Sequence, residues 1–405
     1  MAHLRKRHKP ECAHRASGGK RRCNCDGSWQ ARIPDPVRGG THKIERTFRT
    51  KNEADAWAVS QRAGQQQGTW VDPRHAERPF ADVVEAWKES WTNRLSPTTA
   101  ARYRSILNVY LLPTFGQTPI GRITHEVVQR YVNRLTADGM TPGTVRNVFS
   151  VLRNAMNRGV RLGVVKVNPC MKIDLPRSPR EEMLFLTADE VRAVAEAIDP
   201  YYRVLVYTAA YTGLRAGELL GLRRADVDLL RSVLHVRRAL KDVDGRLEFG
   251  ETKTHTQRQV SLPNFLRDML REHLAQSLAG DGADALVFPS KTGQPLRHNL
   301  FYRRHFKRTV MGDPEKGIPG ALPAAKHGLR FHDLRHTAAS LAIHAGGHPL
   351  LVSKMLGHAS VEITLNRYSH LMPNVADALA EQLDALYRAA PQPTNVTELR
   401  PAEEG

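Results

Sequence analysis

Near the start of the chain apolar positions follow strand spacing, and further on they recur at helical spacing. Ser28 to Ile33 and Thr41 to Phe48 read as two strands around a turn at Pro34-Asp-Pro-Val-Arg-Gly-Gly40. Thr50 and Glu53 stand at capping-box spacing ahead of Ala54, Trp57 and Ala58, which predicts a short helix. These signals make a small sheet with one helix. The opening residues, rich in Lys and Arg, read as a flexible basic arm in front of it.

From about residue 80 to 166 the pattern is helical throughout. Ser96-Pro97 and Thr141-Pro142 each set a hydroxyl N-cap before a proline at the first helical position. Tyr103, Ile106, Leu107, Tyr110 and Leu111 follow the first at helical spacing, and Val145, Phe149, Leu152 and Met156 follow the second. Between them, Ile123 to Leu135 carries Val127, Val128, Tyr131 and Val132 on one face. Prolines 169, 176 and 179 then mark a linker.

The pattern changes again after residue 183. Thr187 with Glu190 is a second capping box, and Tyr201 to Leu220 reads as one helix with Gly213 inside it. Three short strands follow, about 232–238, 246–251 and 257–262, the first two joined at Asp242-Val-Asp-Gly245 and the second two at 252–256. Helices resume to the end, with Gly346 and Gly357 as helix stops. Val375, Ala378, Leu379, Leu383 and Leu386 make an apolar stripe on a last helix, and residues 391–405 read as a disordered tail.

Composition narrows the function. The 405 residues carry 60 Lys+Arg against 41 Asp+Glu, a net charge of +19. Residues 1–80 alone hold 17 Lys+Arg and 8 Asp+Glu. Such a balance points to a polyanion, nucleic acid before an acidic membrane. The longest uncharged apolar run, Val204 to Leu214, is well short of the ~20 residues of a membrane span. The basic N-terminus has no apolar core after it, so it does not read as a secretory signal. The expectation is a cytoplasmic, nucleoid-associated protein without a membrane partner.

Five short patterns in the last segment carry candidate chemistry: Thr212-Gly-Leu-Arg215-Ala-Gly-Glu218, Thr252-Lys253-Thr254, His332-Asp-Leu-Arg335-His336, Leu356-Gly-His358 and Asn366-Arg-Tyr368-Ser-His370. Among their residues, Arg215, Arg335, Lys253, the histidines and Tyr368 make an inventory suited to phosphoryl transfer without a metal. That reaction needs a nucleophile, fixed positive charge for the phosphate oxygens and a proton donor for the leaving oxygen. Arginine forks match phosphate and stay charged. His332 and Arg335, three apart, would share a helix face. Taken singly, each has a plainer reading: Arg215 in a surface ion pair with Glu218, Lys253 as a solvated turn lysine, Tyr368 as core packing.

In the order Arg, Lys, His-x-x-Arg, His, Tyr, these motifs resemble the tyrosine recombinases, the phage-type integrases, at Arg215, Lys253, His332, Arg335, His358 and Tyr368. The resemblance implies a mixed, mostly α fold: a small N-terminal α+β arm-binding domain, an α-helical core-binding domain, and a mostly α catalytic domain with a small antiparallel three-stranded sheet. The implied boundaries are an arm at 1–27, domains at 28–78, 79–168 and 183–390, a linker at 169–182 and a tail at 391–405.

The implied activity is site-specific recombination, with Tyr368 as nucleophile forming a 3′-phosphotyrosyl link. Arg215 and Arg335 would hold the phosphate, and Lys253 would protonate the leaving 5′-oxygen. His332 would move protons at Tyr368, and His358 would hydrogen-bond the phosphate. Neither cofactor, ATP nor a catalytic metal is implied. The partners are double-stranded DNA attachment sites and further copies of the chain, up to a tetramer. A DNA-bending host factor and a directionality factor are candidate accessories. A transposon-type or resolution recombinase, or a DNA-binding protein without catalysis, are the other readings.

A separate cluster lies in the basic arm. Cys12-x-His14 and Cys23-x-Cys25, with His8 nearby, are zinc-ligand types, but one-residue spacings are tighter than the usual two to four. The cluster reads as thiols on the arm before it reads as a metal site.

Overall fold

The computed structural model describes residues 3–19, 25–39, 41–67, 70, 72–91, 94–178, 183–251, 257–276, 282–371 and 375–389, with backbone alone for 375–379. They fall into two compact units that divide at Arg180 and Glu181.

The first unit opens with a three-stranded antiparallel sheet, β1 (His3–Arg7), β2 (Ser28–Pro34) and β3 (Lys43–Phe48), with β2 in the centre. β1 was expected to lie in a flexible arm. Instead it pairs with β2, Leu4 opposite Ala31. Leu4 packs at the edge of the small core of Ala31, Ile33, Ile44, Ala54 and Ala58. The helix Lys51–Gln66 supplies two of those alanines, and its capping box closes as the spacing predicts. Thr50 Oγ1 accepts from Glu53 N (3.3 Å), and Glu53 Oε2 accepts from Thr50 N (3.2 Å).

Four main helices complete this unit: Phe80–Lys88, Pro97–Ile106, His125–Ala137 and Pro142–Arg161. Ser96, Thr124 and Thr141 cap three of them, and the apolar stripes meet in a core that includes Phe80, Leu107, Leu111, Leu152 and Met156. The second of these helices does not run straight on. A π turn spans Leu107–Leu111 just before Pro113, which has no N–H to continue the ladder.

In the second unit the helix Ala188–Ala197 starts at the Thr187/Glu190 box. The helix Arg203–Thr212 ends sooner than its pattern predicts. Gly213 adopts φ +63°, and a Cβ there would come within 2.5 Å of Leu356 Cδ2 and 3.2 Å of Ala338 Cβ. Only glycine meets both demands, so the chain breaks and a new helix, Ala216–Leu220, begins after Arg215. That break positions the site described below.

The strands also pair differently from expectation. β4 (Val227–Asp228), β5 (Val233–Val236) and β8 (Arg258–Ser261) form the three-stranded antiparallel sheet, with Leu234 opposite Val260. β6 (Arg238–Val243) and β7 (Arg246–Glu251) form a separate hairpin between β5 and β8 in sequence. Residues 252–256, expected to join the last two strands, lie outside the described residues.

The helices Leu334–His344, Pro349–Leu356 and Val361–Tyr368 then fold over one another around Ala339, Ile343, Val352, Leu356 and Tyr368. Gly346 and Gly357 both take positive φ at the turns, as their positions predict. The last helix, Val375–Ala389, follows a single 3-10 turn. Residues 391–405 lie outside the described residues. No helix among the described residues is long and apolar enough to cross a membrane.

Candidate active site

Arg215 stands at the head of the short helix that the Gly213 break creates. Its Nη1 donates to Glu218 Oε1 (2.8 Å), its Nη2 donates to the Gly357 carbonyl (3.1 Å), and its backbone N–H donates to Glu218 Oε2 (3.0 Å). Glu218 is 2% exposed, so this is not a surface pair. A third residue shares it: Arg258 of β8 donates to both carboxylate oxygens (3.1 and 2.7 Å) and, through Nε, to the Met355 carbonyl (3.0 Å). Burial pushes the Glu218 pKa up, but the hydrogen bonds and charge of Arg258, with those of Arg215, hold it below the ordinary carboxylate value. Glu218 is thus a buried anion that fixes two guanidinium groups from two elements. Gly357 permits this, because a Cβ there would meet the Arg258 side chain at 3.0 Å.

Arg335, near the start of the helix Leu334–His344, is 5% exposed, and its Nη1 donates to the Gly213 carbonyl (2.7 Å). Burial and then the charge of Arg215 push its pKa down to about 10, so it remains a cation at neutral pH. The two arginines therefore lean on one turn, Arg335 on Gly213 and Arg215 just beyond it. They repel each other, which favours an anion between them.

Tyr368 closes the helix Val361–Tyr368 and is 1% exposed. Burial raises its pKa, partly offset by the charges of Arg335 and Arg367. Its hydroxyl is hydrogen-bonded to His336 Nδ1 at 2.6 Å. The sequence reading gave His332 the role nearest this hydroxyl. His332 instead sits in a 3-10 turn, exposed, two residues before the first residue of the helix that carries Arg335. It meets His336 edge-on, with ring centroids 6.0 Å apart. The protein around it and then the Arg335 charge lower the His332 pKa.

His358, reached through the left-handed Gly357, bonds through Nδ1 to Thr364 Oγ1 (2.8 Å). Burial first, and then Arg335 and Arg367, bring its pKa to about 4; the charge of Arg215 acts in the same direction. Of the six expected residues, the structure brings Arg215, Arg335, His332, His358 and Tyr368 to one region of the second unit. Lys253 lies outside the described residues.

Three residues were missed as parts of the site: Glu218, Arg258 and His336. His336 follows Arg335 directly and was legible as a titratable group beside the motif. Arg258, forty residues from Glu218, had no local signal.

The buried histidines give a pH dependence with a definite sign. The His336 pKa is lowered to about 4, chiefly by burial. Between about pH 6.5 and 4 the unfolded chain therefore binds a proton that the folded chain does not, and stability falls as the pH drops through that window. For His336 the loss at pH 5 is about 2 kcal/mol, or several degrees in thermal midpoint. His336→Gln keeps a hydrogen-bonding partner for Tyr368 and cannot titrate. Its midpoint is expected to fall less between pH 7 and pH 5 than that of the unchanged protein. Equal falls in both would remove His336 as the source.

With the geometry in hand, comparison with known proteins is specific. Residues 184–374 match the phage integrase family, and residues 79–136 match the phage integrase N-terminal SAM-like domain. The chain belongs to the phage integrase family of tyrosine recombinases, and it is a site-specific recombinase of the tyrosine type. It is 30% identical over 362 residues to the integrase of Mycobacterium phage D29, covering 87% of this chain and 93% of that protein. A XerC-like tyrosine recombinase of Caldanaerobacter subterraneus is 28% identical, covering 84% of this chain and 90% of that protein. Among solved structures, the Tn1549 transposon integrase in complex with a circular intermediate DNA shares the fold, with a TM-score of 0.64 at 21% identity. That match covers 75% of this chain and 99% of that one.

Proposed function

We propose that the chain cuts and rejoins double-stranded DNA at attachment sites through a 3′-phosphotyrosyl link at Tyr368, and thereby integrates a prophage or mobile element. The observation that carries the reading is the meeting of two arginines, one buried and one half-buried, around the Gly213 turn with a tyrosine hydroxyl already held by an imidazole. Arg215 and Arg335 bind the non-bridging oxygens of the scissile phosphate and offset the charge that grows there. The Tyr368 oxygen attacks phosphorus, the P–Oη bond forms and the P–O5′ bond breaks. The tyrosine proton passes to His336, whose pKa rises once an anionic phosphate sits beside it. His332 is next in line for that proton, and His358 hydrogen-bonds the phosphate. Lys253 supplies the proton to the leaving 5′-oxygen. A 5′-hydroxyl from a partner duplex then attacks the phosphotyrosine and restores the tyrosine, so the bond energy is conserved and ATP is not consumed.

The partner that fits this site and the net charge of +19 is DNA. The solved relative bound to a circular intermediate DNA supports it. Exchange of four strands calls for self-association to a tetramer on DNA. A DNA-bending host factor and a directionality factor are the accessory partners that integration and excision would use. Bound to DNA, the protein is nucleoid-associated. In this reading residues 28–78 bind arm-type sites, 79–168 the core site, and 183–390 carry the chemistry.

A nicked core-site DNA, which traps the cleaved strand by losing its short 5′-hydroxyl fragment, tests the proposal. Accumulation of a denaturant-resistant protein–DNA adduct is expected, and its absence with bound DNA would leave only a binding protein. The same substrate tests Lys253. A sulfur in place of the leaving 5′-oxygen departs as a thiolate without a proton. Lys253→Ala should therefore cleave the oxygen substrate slower by about two decades or more and recover on the sulfur substrate. Arg335→Ala should not recover, because it acts on the non-bridging oxygens. Equal responses of the two variants would remove Lys253 as the acid.

A further inference from the structure

The strongest cluster outside the recombinase site lies in the N-terminal sheet domain. His8 follows β1, Cys12 precedes the short helix Ala13–Ala16, and Cys25 stands shortly before β2. His8 Nδ1 lies 3.3 Å from Cys25 Sγ and 3.6 Å from Cys12 Sγ, and the ligand atoms of all three residues fall within 4.8 Å of one another. We propose that His8, Cys12 and Cys25 bind a structural zinc ion that ties the β1–β2 connection to the sheet.

Three observations carry the proposal. The first is geometric. With Zn–S about 2.3 Å and Zn–N about 2.0 Å, tetrahedral coordination sets sulfur and nitrogen about 3.5 Å apart and two sulfurs about 3.8 Å apart. The two nitrogen–sulfur separations lie on either side of the first value, and with all three ligand atoms within 4.8 Å a zinc ion would draw the two sulfurs together by at most about 1 Å. The second is the sequence spacing. One-residue spacing in Cys12-x-His14 argued against zinc, but the structure pairs Cys12 with His8 across three residues, inside the usual range for such ligands. His14 does not join the three; its ring stacks on that of His8 at 4.2 Å, which fixes the plane of the ligand ring. Cys12 is 7% exposed, so this face of the cluster is closed to solvent.

The third is the need for it. Among the described residues, the buried core of the sheet domain has five apolar side chains, three of them alanine. A core that small gives a marginal domain unless a metal or another cross-link is added. Among the described residues between Lys9 and Gly27, none belongs to that core. A zinc held by His8, Cys12 and Cys25 would tie the start of this stretch to its end. The fourth position of the ion goes to a further donor.

The test is metal content of the full-length protein purified under reducing conditions without chelator. One zinc per chain is expected in the unchanged protein and in Cys170→Ser, whose cysteine lies in the helical core of the same unit. His14→Ala should keep the ion, while His8→Ala, Cys12→Ser and Cys25→Ser should lose most of it. A second reading does not depend on how the variants fold. Cobalt(II) added to the zinc-depleted, unchanged chain should give visible bands of tetrahedral intensity together with a thiolate-to-metal charge-transfer band. Absence of zinc together with absence of the thiolate band would overturn the proposal. So would zinc retained in His8→Ala and lost in His14→Ala.

Discussion

Tyr368→Phe is expected to abolish the covalent protein–DNA adduct on nicked core-site DNA, by at least about four decades, while DNA affinity stays close to that of the unchanged protein. Only one oxygen is removed, and in the proposed mechanism it is the nucleophile, so the chemical step would have no substitute path. The fold should survive. The ring remains in its pocket among Ala339, Ile343, Val352 and Leu356, and the loss is one hydrogen bond to His336 Nδ1. Leaving that nitrogen unpaired costs about 1–3 kcal/mol, far less than a domain's stability. An adduct that persists in the variant, mapped to Tyr302 or Tyr387, would overturn the assignment. Binding lost in parallel with the adduct would show that the hydroxyl holds the fold rather than doing chemistry. His336→Ala gives the complementary result: the adduct still forms, more slowly, because the nucleophile is present and its nearest proton acceptor is not.

That pairing of Tyr368 with His336 shows where reading the sequence stops. Signals that live within one turn of chain were legible: the Thr50/Glu53 and Thr187/Glu190 boxes, the Ser96 and Thr141 caps, and the stops at Gly346 and Gly357 all stand in the structure as their spacing predicts. Signals that depend on a distant partner were not. Gly213 sits inside a helical pattern and breaks it because Leu356 and Ala338, more than a hundred residues away, leave no room for a Cβ. Val233 to Val236 pairs with Arg258 to Ser261, and the hairpin between them pairs with itself, a choice that adjacent strand patterns do not encode. β1 looked like arm because a five-residue strand with one apolar residue has almost no pattern; its partner strand defines it. The arginines, histidines and tyrosine of the site could be named from motif order. Which imidazole meets the tyrosine depended on a change from 3-10 to α geometry between His332 and Arg335, which spacing alone does not reveal.

Truncation after Met372 is expected to leave a chain that binds a single core site with near-normal affinity but neither synapses two sites nor recombines them. The reasoning starts from the last helix, Val375–Ala389. Among its residues with described side chains, Leu383 is 57% exposed, Leu386 68% and Tyr387 73%, so this part of the apolar stripe is not buried on its own chain. Apolar positions at helical spacing that face solvent in one copy mark a surface that another copy covers. A helix handed from each copy to the next around a closed ring is a heterologous contact with no free ends, which suits an assembly that must hold four DNA strands. The helix is also joined to the chemistry. A single 3-10 turn, Ser369–Leu371, and residues 372–374 separate it from Tyr368, which is buried against His336 in the isolated chain. Docking of the helix on a neighbour would act directly on the segment that must release Tyr368 toward the phosphate. The cut would then be made only within a complete complex, where a partner 5′-hydroxyl is present to reseal it. Leu383→Asp with Leu386→Asp should reproduce the truncation while leaving the helix in place, which separates a lost contact from a lost segment. Recombination by the truncated chain at the full-length rate would exclude this role for the helix. Normal synapsis by the double aspartate variant would assign the contact to residues before Leu383.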